Sequence, residues 1–487
     1  MRYVTCIISL CWLFLMGAGA MVLTACLGFL LGETNIAVAF LGGAVPAIFV
    51  AGATLFAMRG SPQRPARRDL ILTPVVAWAL VPLGACIPLL LIFPGMGVTH
   101  AYFETVSGLT TTGATILTNL DAIPKTVIFW RALLQWLGGF ATIAMVIAVF
   151  PLLNIGGMSL FNNALPHGEG EAVTDRVRGV VRSLWSVYTG LTLICVLLLW
   201  LTGIPTFDGI CLALSTISTG GFMPRDGSLL VYENPLAEVI LIPFMLAGAI
   251  NFSLHWAALN GRGINYWKDP EVKRMVRLSV IAGALMTIAL GLGLGAGAGL
   301  AFWDSLRSGL FVAVSMLSTT GFMTGEEGAF PLSPALLVMP LIVLGGCTGS
   351  TAGGIKQMRI RILIKHGDRE FARLTHPHGV VRKSYAGRVV SDDAMAAAWA
   401  FFIVFILAMC AATLILAATG LELHAAIAAA TAAISNTGPA LTLIDGTMPG
   451  YQVIADPGLW ALSVAMILGR VDVLPLLILL SPIFWRG

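Results

Sequence analysis

The chain has 487 residues, of which 57% are hydrophobic and 11% are charged, and its mean hydropathy is +0.90. Soluble domains carry about 25% charged residues, so the composition excludes an ordinary soluble enzyme and predicts a polytopic protein of the lipid bilayer. The net charge of +4 identifies no partner, because charge placement matters more than its sum in such proteins. All eight cysteines lie in apolar stretches without a CxxC pair, which favours small core residues over disulfides or metal ligands.

The N-terminal part predicts a transmembrane hairpin. Residues 3–31 form one uncharged run that is too long for the core of a signal peptide, and a second apolar run covers about 36–58. Four arginines follow between 59 and 68, and they mark the cytoplasmic side. We therefore assign residues 1–69 to an N-terminal transmembrane hairpin with a basic linker.

One short motif occurs four times, each time at the end of a short apolar segment. A hydroxyl or amide residue precedes Thr-Gly in every copy, and the four glycines lie 107, 101 and 117 residues apart. This spacing predicts a fourfold internal repeat. The copies consist of Thr111, Thr112 and Gly113; Ser218, Thr219 and Gly220; Thr319, Thr320 and Gly321; and Asn436, Thr437 and Gly438.

Each repeat predicts the same elements: a spanning helix, a short re-entrant segment, the Thr-Gly turn and a second spanning helix. The short segments, near 101–111, 207–218, 303–318 and 423–435, are too short to cross a bilayer. The spanning helices are expected at about 70–95 and 126–153, 182–203 and 234–258, 276–300 and 333–364, and 394–419 and 457–485. The four repeats are assigned to residues 70–181, 182–275, 276–393 and 394–487. The predicted fold is all-α, with four pseudo-repeats around a central pore.

The four turns suit a cation-selective filter. Glycine lets the backbone turn carbonyl oxygens toward an axis, and irregular backbone at membrane depth is tolerated only where protein buries it or it lines a path. Four such turns can replace the hydration shell of a cation. The alternative is four ordinary turns in extramembrane loops, which the regular spacing disfavours.

Charge placement orients the chain. Linkers near 59–68, 176–182, 262–277 and 356–388 hold 21 of the 28 Lys and Arg residues, so these linkers and both termini are expected in the cytoplasm and the turns outside. The outer segments carry twelve acidic residues, which form either an acidic vestibule that concentrates cations or scattered solvated carboxylates. These are Glu104, Asp121, Asp208, Asp226, Glu233, Glu238, Asp304, Glu326, Glu327, Glu422, Asp445 and Asp456.

Two features inside the apolar spans predict a gate. Residues 345–356 are too rich in glycine for an uninterrupted helix, and we interpret them as a loop under the filter, with a plain helix kink as the alternative. A phosphate loop is disfavoured because the Gly-Lys-Ser/Thr ending is missing. The gate residues are Gly345, Gly346, Thr348, Gly349, Ser350, Gly353, Gly354 and Lys356.

Arg470 is a charge within the last apolar span, where an arginine is costly and faces a partner or a pore. Its expected partners are carbonyls of the glycine-rich loop or the cavity, since Asp472 lies on a different helix face. We interpret Arg470 as an electrostatic barrier in the closed state. The alternative is a structural arginine that ties helices together.

Other function classes lack support in the sequence. A membrane-embedded enzyme would show paired carboxylates, HExxH or GxSxG at membrane depth, and none is found. A secondary transporter with inverted halves is disfavoured, because all four repeats run in the same sense.

The four Thr-Gly turns, the stretch from Gly346 to Lys356, and Gly469-Arg470 followed by residues 481–485 resemble the TrkH-type subunit of the Trk/Ktr potassium-uptake superfamily, over essentially the whole chain. The resemblance implies a potassium-selective pore in a bacterial inner membrane, a homodimer and a cytoplasmic, nucleotide-binding, TrkA-like regulatory subunit. It implies no covalent cofactor, with potassium as substrate, and no nucleic-acid partner.

The chain departs from the family pattern at Val471-Asp472, where Leu-Glu is common. Serine at the first filter glycine marks sodium-preferring relatives, so Gly113 favours potassium. A sodium-preferring or poorly selective cation channel of the same architecture is the alternative. Passive flux and flux coupled to protons or sodium both remain open.

Overall fold

The structure is a computed structural model that describes residues 3–61, 67–149, 173–261, 266–292, 301–325, 334–376, 384–385 and 388–471. These residues are almost entirely helical, apart from an antiparallel pair of two-residue strands, Ser384–Tyr385 and Arg388–Val389. Seven of the described helices are long and apolar enough to cross a membrane, and one bent helix pair provides an eighth candidate span. Their outer faces expose large apolar side chains such as Phe49 and Leu30, as expected for surfaces in contact with lipid.

The N-terminal hairpin consists of Val4–Leu30 and Thr34–Ala57. Gly32, in the turn between them, has a φ of 77°, which glycine adopts without the steric cost of a Cβ atom. The carboxylate of Glu33 accepts backbone hydrogen bonds from Lys125 and the residue after it, both at 3.0 Å. A negative charge is favourable at this helix N-terminus, so Glu33 attaches the hairpin to the first repeat.

Four repeats follow, here called units 1 to 4, and each has a first helix, a short helix, a turn and a second helix. The first helices are Arg67–Ala85 continued by Ile87–Ile92, then Val173–Leu201, Pro270–Gly291 and Asp392–Ala418. The short helices are Val98–Leu109, Thr206–Ile217, Phe302–Leu317 and Leu423–Ile434. The second helices are Lys125–Ala144, Pro235–Ala249 with Phe252–Leu259, Pro334–Leu344 with Gln357–Thr375, and Asp456–Val471.

Several single turns complete the described structure. They are the 3-10 turns Leu120–Ala122, Leu229–Tyr232, Tyr266–Lys268 and Tyr451–Val453, the π turn Met145–Val149 and the short α-helix Ala440–Ile444. The fold class predicted from the sequence is confirmed: an all-α multi-pass membrane protein with four pseudo-repeats and an N-terminal hairpin. The unit boundaries near residues 69, 181, 275 and 393 stay a prediction.

The four short helices are too short to cross the hydrocarbon core of a membrane. They contain 12 to 16 residues, which corresponds to about 18–24 Å, less than the roughly 30 Å of a hydrocarbon core. The short helix of unit 4, Leu423–Ile434, contains seven alanines, all buried. Alanine favours the helix and lets neighbouring helices approach closely. Each short helix therefore enters the protein and ends inside it.

The second helix of unit 2 differs from the expected continuous span over 234–258. Its two parts meet at an angle of 102° across Ile250 and Asn251. Both residues have extended backbone, and the side chain of Asn251 accepts a hydrogen bond from the Ser253 amide at 2.9 Å. Asparagine at this position starts a new helix, because its oxygen satisfies a backbone donor that a continuous helix would pair. The second helix predicted near 234–258 is therefore present as two helices with a sharp bend between them.

Candidate functional site

The four turns share one strained backbone position. Two residues after the last residue of each short helix, a non-glycine residue has a positive φ: 50° at Thr111, 52° at Thr219, 59° at Thr319 and 53° at Asn436. This region is unfavourable for residues with a Cβ atom, and especially for β-branched threonine. Strained backbone of this kind clusters at functional sites, where the surrounding structure holds it in place.

This conformation fixes the register of the four turns and changes one of the predicted positions. Two residues further on, Gly113, Gly221 and Gly321 have φ values of 77°, 81° and 84°, whereas Gly438, at the same position in unit 4, does not have a positive φ. In unit 2 the sequence motif selected Gly220 as the filter glycine. When the four turns are aligned by their positive-φ residue, however, Gly220 lies at the position of Thr112 in unit 1. The choice was ambiguous because two glycines follow Thr219, and only the backbone conformation separates them.

The turns lie in contact around a closed ring. A Cβ atom added to Gly113 would lie 2.1 Å from the carbonyl oxygen of Gly220, and one added to Gly221 would lie 2.0 Å from that of Thr320. Unit 3 meets unit 4 in the same way, because a Cβ atom on Gly321 would lie 2.9 Å from a side-chain carbon of Pro439. The order 1-2-3-4 closes where the Gly438 amide of unit 4 donates a hydrogen bond to unit 1.

The acceptor of this hydrogen bond is the carbonyl oxygen of Thr112, at 2.6 Å. The side chain of Asn436 adds a second contact between units 4 and 1, because its amide donates to the hydroxyl of Thr112 at 3.0 Å. All twelve residues of the predicted filter are buried. The structure therefore brings the predicted residues together, with Gly221 as an addition.

The strained residues also supply unpaired acceptors. Thr111, Thr219, Thr319 and Asn436 are fully buried, yet their backbone carbonyl oxygens accept no hydrogen bond from the described part of the chain. Buried carbonyls without a partner are uncommon in proteins. Four of them at equivalent positions of one ring are a chemically suitable set of ligands for a dehydrated cation.

The glycine-rich segment forms a buried loop between the two parts of the second helix of unit 3. Gly345, Gly349 and Gly354 have positive φ values, which allow the chain to reverse direction. The loop pairs with the bend in unit 2, because the amides of Cys347 and Thr351 donate to the carbonyls of Ala249 and Gly248 at 2.9 and 3.1 Å. The predicted helix break is present, and the loop that it forms packs against the bend in unit 2.

The loop contacts the turns of units 2, 3 and 4. The hydroxyl of Thr219 donates to that of Thr351 at 3.2 Å, and the amide of Gly353 donates to the hydroxyl of Thr319 at 2.7 Å. A Cβ atom on Gly353 would lie 2.0 Å from the carbonyl oxygen of Ser435. Glycine at position 353 thus allows the loop to touch the end of the fourth short helix.

Further hydrogen bonds hold the loop in place within unit 3. The hydroxyl of Ser350 donates to the carbonyl of Cys347 at 2.5 Å, and the ammonium of Lys356 donates to the carbonyl of Ala352. The amide and hydroxyl of Thr348 both donate to the buried carboxylate of Glu271, at 3.2 and 3.1 Å. Gly346 lies with its Cα against Ala352, since an added Cβ atom would lie 2.5 Å from that side chain.

Arg470 connects the loop to unit 1. Its side chain is 4% exposed, and it donates to the backbone carbonyls of Thr110, Thr351 and Ala352. Its neighbour Gly469 allows this approach, since an added Cβ atom would lie 2.3 Å from the carbonyl oxygen of Ile434. No carboxylate in the described ranges pairs with Arg470. Asp472 lies outside the described residues.

Several carboxylates of the expected acidic vestibule are paired with arginines. Glu104 contacts Arg131 at 2.8 Å, Asp208 contacts Arg225 at 2.6 Å, and Glu238 contacts Arg307 at 3.0 Å, while Asp304 lies 3.4 Å from Arg307. The hydrogen bond from Arg225 to Asp208 raises the pKa of this guanidinium. The outer rim is therefore partly neutralised. A vestibule formed by all twelve carboxylates is not what the structure contains, and Glu326 and Glu327 lie outside the described residues.

Two further side chains support the ring and were not selected from the sequence. The amide of Phe222 donates to the side-chain oxygen of Gln135 at 3.3 Å, and the hydroxyl of Tyr451 donates to the carbonyl of Gly438 at 2.8 Å. Gln135 is a buried polar residue in an apolar span, which is a signal that the sequence does carry. Tyr451 has no such signal, because it lies in a loop.

The fold, together with a ring of carbonyl oxygens that can bind a cation, defines a multi-pass membrane protein of the ion-transport class. A family model described as "TrkH: Cation transport protein" matches residues 36–485, and the chain belongs to this family. The chain is 35% identical over 424 residues to the Trk system potassium uptake protein TrkH of Salmonella typhimurium, with 86% of each chain covered. It is 32% identical over 412 residues to the Trk system potassium uptake protein TrkI of Halomonas elongata, covering 84% of this chain and 82% of that one.

A solved structure agrees with these matches. The crystal structure of the potassium transporter TrkH from Vibrio parahaemolyticus superposes with a TM-score of 0.90 at 32% sequence identity. The match covers 100% of both chains. The similarity therefore extends over the whole architecture, including the N-terminal hairpin.

Proposed function

We propose that this protein takes up potassium ions across the bacterial cytoplasmic membrane through the ring of four turns. The observation that carries the proposal is the set of four buried, unpaired carbonyl oxygens at Thr111, Thr219, Thr319 and Asn436, in turns that contact one another in a closed order. The relatives named above are potassium uptake proteins, which supports potassium as the substrate.

The ring acts by replacing water around the ion. Carbonyl oxygens with fixed positions substitute for the hydration shell of potassium, and the rigid backbone makes this exchange less favourable for an ion of different size. The four short helices all end at the ring, so the negative ends of their dipoles add a favourable potential for a cation. Strain at four residues keeps the oxygens in place before the ion arrives.

The glycine-rich loop and Arg470 form the gate of this pathway. The loop contacts the turns of three units, and Arg470 connects it to the fourth, so the loop occupies the space directly beside the ring. A buried positive charge at this place opposes the passage of a cation. Movement of the loop away from Thr219 and Thr319 opens the path and carries with it the two acceptors of Arg470 that lie on the loop, the carbonyls of Thr351 and Ala352.

Membrane orientation and partners follow from the charge distribution and from the family. The ring faces the outside and both termini are cytoplasmic, because most Lys and Arg residues lie in the opposite linkers. The protein forms a homodimer and binds a cytoplasmic, nucleotide-binding regulatory subunit of the TrkA type. This subunit acts on the gate from the cytoplasmic side, where Gln357–Thr375 continues directly from the loop.

Growth of a potassium-uptake-deficient bacterium tests the proposal. Expression of this chain is expected to restore growth at low potassium, together with the regulatory subunit encoded by the same source. Absence of rescue, with the protein detected in the membrane, contradicts potassium uptake. Uptake of sodium in preference to potassium by the same cells supports the alternative of a sodium-preferring channel.

A further inference from the structure

An ion pair is buried beside the ring, at the boundary between units 1 and 2. Glu104 lies on the short helix of unit 1 and Arg131 lies on its second helix, with exposed fractions of 1% and 2%. The Nε atom of Arg131 donates to a carboxylate oxygen of Glu104 at 2.8 Å. Both charged groups are shielded from water, so the role of the pair follows from its contacts with other protein groups.

Glu104 holds the segment that follows the turn of unit 1. Its carboxylate accepts hydrogen bonds from the hydroxyl of Thr115 at 2.9 Å and from the amide of Ile116 at 3.0 Å. These two residues come shortly after Gly113. A carboxylate with two such donors and a guanidinium fixes the chain more firmly than neutral hydrogen bonds would.

Arg131 holds the corresponding segment of unit 2. Its guanidinium lies over the ring of Phe222 at 4.0 Å, and one terminal nitrogen lies 3.5 Å from the carbonyl oxygen of Met223. Phe222 directly follows Gly221. One buried pair therefore links the chain beyond the turn of unit 1 to the chain beyond the turn of unit 2.

The turn of unit 2 has particular need of such support. Gly220 and Gly221 are consecutive, so this turn has less intrinsic restriction of its backbone than the other three. The helix that carries Arg131 supplies a second contact one turn later, where Gln135 accepts the hydrogen bond from the Phe222 amide. Residues outside the ring thus hold the turn of unit 2, whose backbone is the least restricted of the four.

General stabilisation does not explain this pair. Removing two charges from water carries a large free-energy cost, and well-packed apolar residues often give equal or greater stability. What the pair provides is geometry, since the carboxylate of Glu104 uses both oxygens, for Arg131 and for the segment after the turn, and the planar guanidinium fixes directions and distances. A fixed distance between units 1 and 2 fixes the width of the ring.

We propose that Glu104 and Arg131 are specificity-determining positioning residues, which set the separation of the first two turns and thereby the preference for potassium over sodium. The inference rests on the proposed function of the ring. Neither side chain touches the ion. Their effect on selectivity is transmitted through Thr115, Ile116 and Phe222.

The test is the ratio of potassium to sodium uptake by the full-length protein in liposomes. The variant is Glu104→Gln/Arg131→Gln, which removes both charges and so leaves no unpaired charge in the interior. Its ratio is expected to fall about tenfold, the effect of roughly 1.4 kcal/mol, while potassium uptake persists. The matched control is Asp208→Asn/Arg225→Gln, which likewise removes both charges of an ion pair, here one whose arginine is 41% exposed, and it is expected to keep the wild-type ratio.

The possible outcomes distinguish a failure of the inference from a failure of the proposed function. A double variant with the wild-type ratio overturns the inference, whereas a wild-type protein without any potassium preference overturns the proposed function itself. If the double variant does not reach the membrane, Phe222→Leu removes the contact to Arg131 without touching either charge. Its ratio is expected to fall in the same direction, and an unchanged ratio overturns the inference.

Discussion

Arg470 donates hydrogen bonds to the carbonyl oxygens of Thr110 and Thr351, and so joins the end of the first short helix to the glycine-rich loop. The two acceptors are 241 residues apart in the sequence and belong to units 1 and 3. One side chain from unit 4 therefore couples the ring to the loop. In the proposed mechanism this coupling keeps the pathway closed.

Replacing Arg470 with alanine is expected to raise basal potassium flux about tenfold, because a barrier that falls by roughly 1.4 kcal/mol increases a rate by that factor. The substitution removes the buried charge and leaves the loop carbonyls without their donor. Flux is measured in liposomes without the regulatory subunit. Arg470→Lys, which keeps the charge, is the control and is expected to stay near the wild-type flux. A folded Arg470→Ala protein with equal or lower flux contradicts the gate.

Glu271→Gln is expected to loosen the loop from the cytoplasmic side. Glu271 accepts one hydrogen bond from Thr348 on each of its two side-chain oxygens, and glutamine can accept only one of them, so about 0.5–1.5 kcal/mol of loop attachment is lost. Basal flux should therefore rise several-fold, with little change in ion preference. Glu233→Gln, at an exposed carboxylate, serves as the control. Unchanged flux in the Glu271 variant would show that this contact does not hold the loop closed.

Gly113→Ser is expected to reduce discrimination against sodium. The new Cβ atom meets the carbonyl oxygen of Gly220, and the φ of 77° disfavours any side chain there. Unit 2 must move away, so the ring widens and potassium loses its advantage by about tenfold, the result of roughly 1.4 kcal/mol. Gly179→Ser, at a helical position with no atom within 4 Å of the added Cβ, is the control. The filter assignment fails if relative uptake of the two ions is unchanged.

The register of unit 2 can be tested with two alanine substitutions. Gly221→Ala meets the backbone carbonyl of Thr320 at a φ of 81°, so strain of about 1–3 kcal/mol is expected and uptake should fall strongly. The three atoms nearest to a Cβ atom on Gly220 all belong to the side chain of Gln135, which a second substitution can remove. Gln135→Ala also removes the acceptor of the Phe222 amide, so it should restore part of the uptake to Gly220→Ala and none to Gly221→Ala. Rescue of both variants, or of neither, argues against the register.

The sequence predicted elements well where one short segment determines them. The expected short segment 423–435 differs by one residue from Leu423–Ile434, because its apolar length and its helix-ending residues are local properties. The bend at Ile250 was missed, since an Asn within an apolar run is a weak local signal. The sequence could not separate Gly220 from Gly221, because the property that distinguishes them is a backbone angle.

The contact between Glu104 and Arg131 could not be predicted from the sequence. Glu104 and Arg131 are 27 residues apart and belong to different helices, so the sequence shows two outer charges and not their contact. Neither expected role of Glu104, a vestibule charge or a solvated carboxylate, matches its buried contact with Arg131. Arg470 was easier to interpret, because a charge inside an apolar span requires acceptors nearby.

Locating a bound ion tests the central claim most directly. The protein is prepared in rubidium or thallium, which substitute for potassium and scatter strongly, and its structure is determined with anomalous or difference maps. The account predicts ion density on the axis of the ring, in contact with the carbonyl oxygens of Thr111, Thr219, Thr319 and Asn436. Density absent from the ring, at ion concentrations that support transport, or bound only elsewhere in the protein, would contradict it.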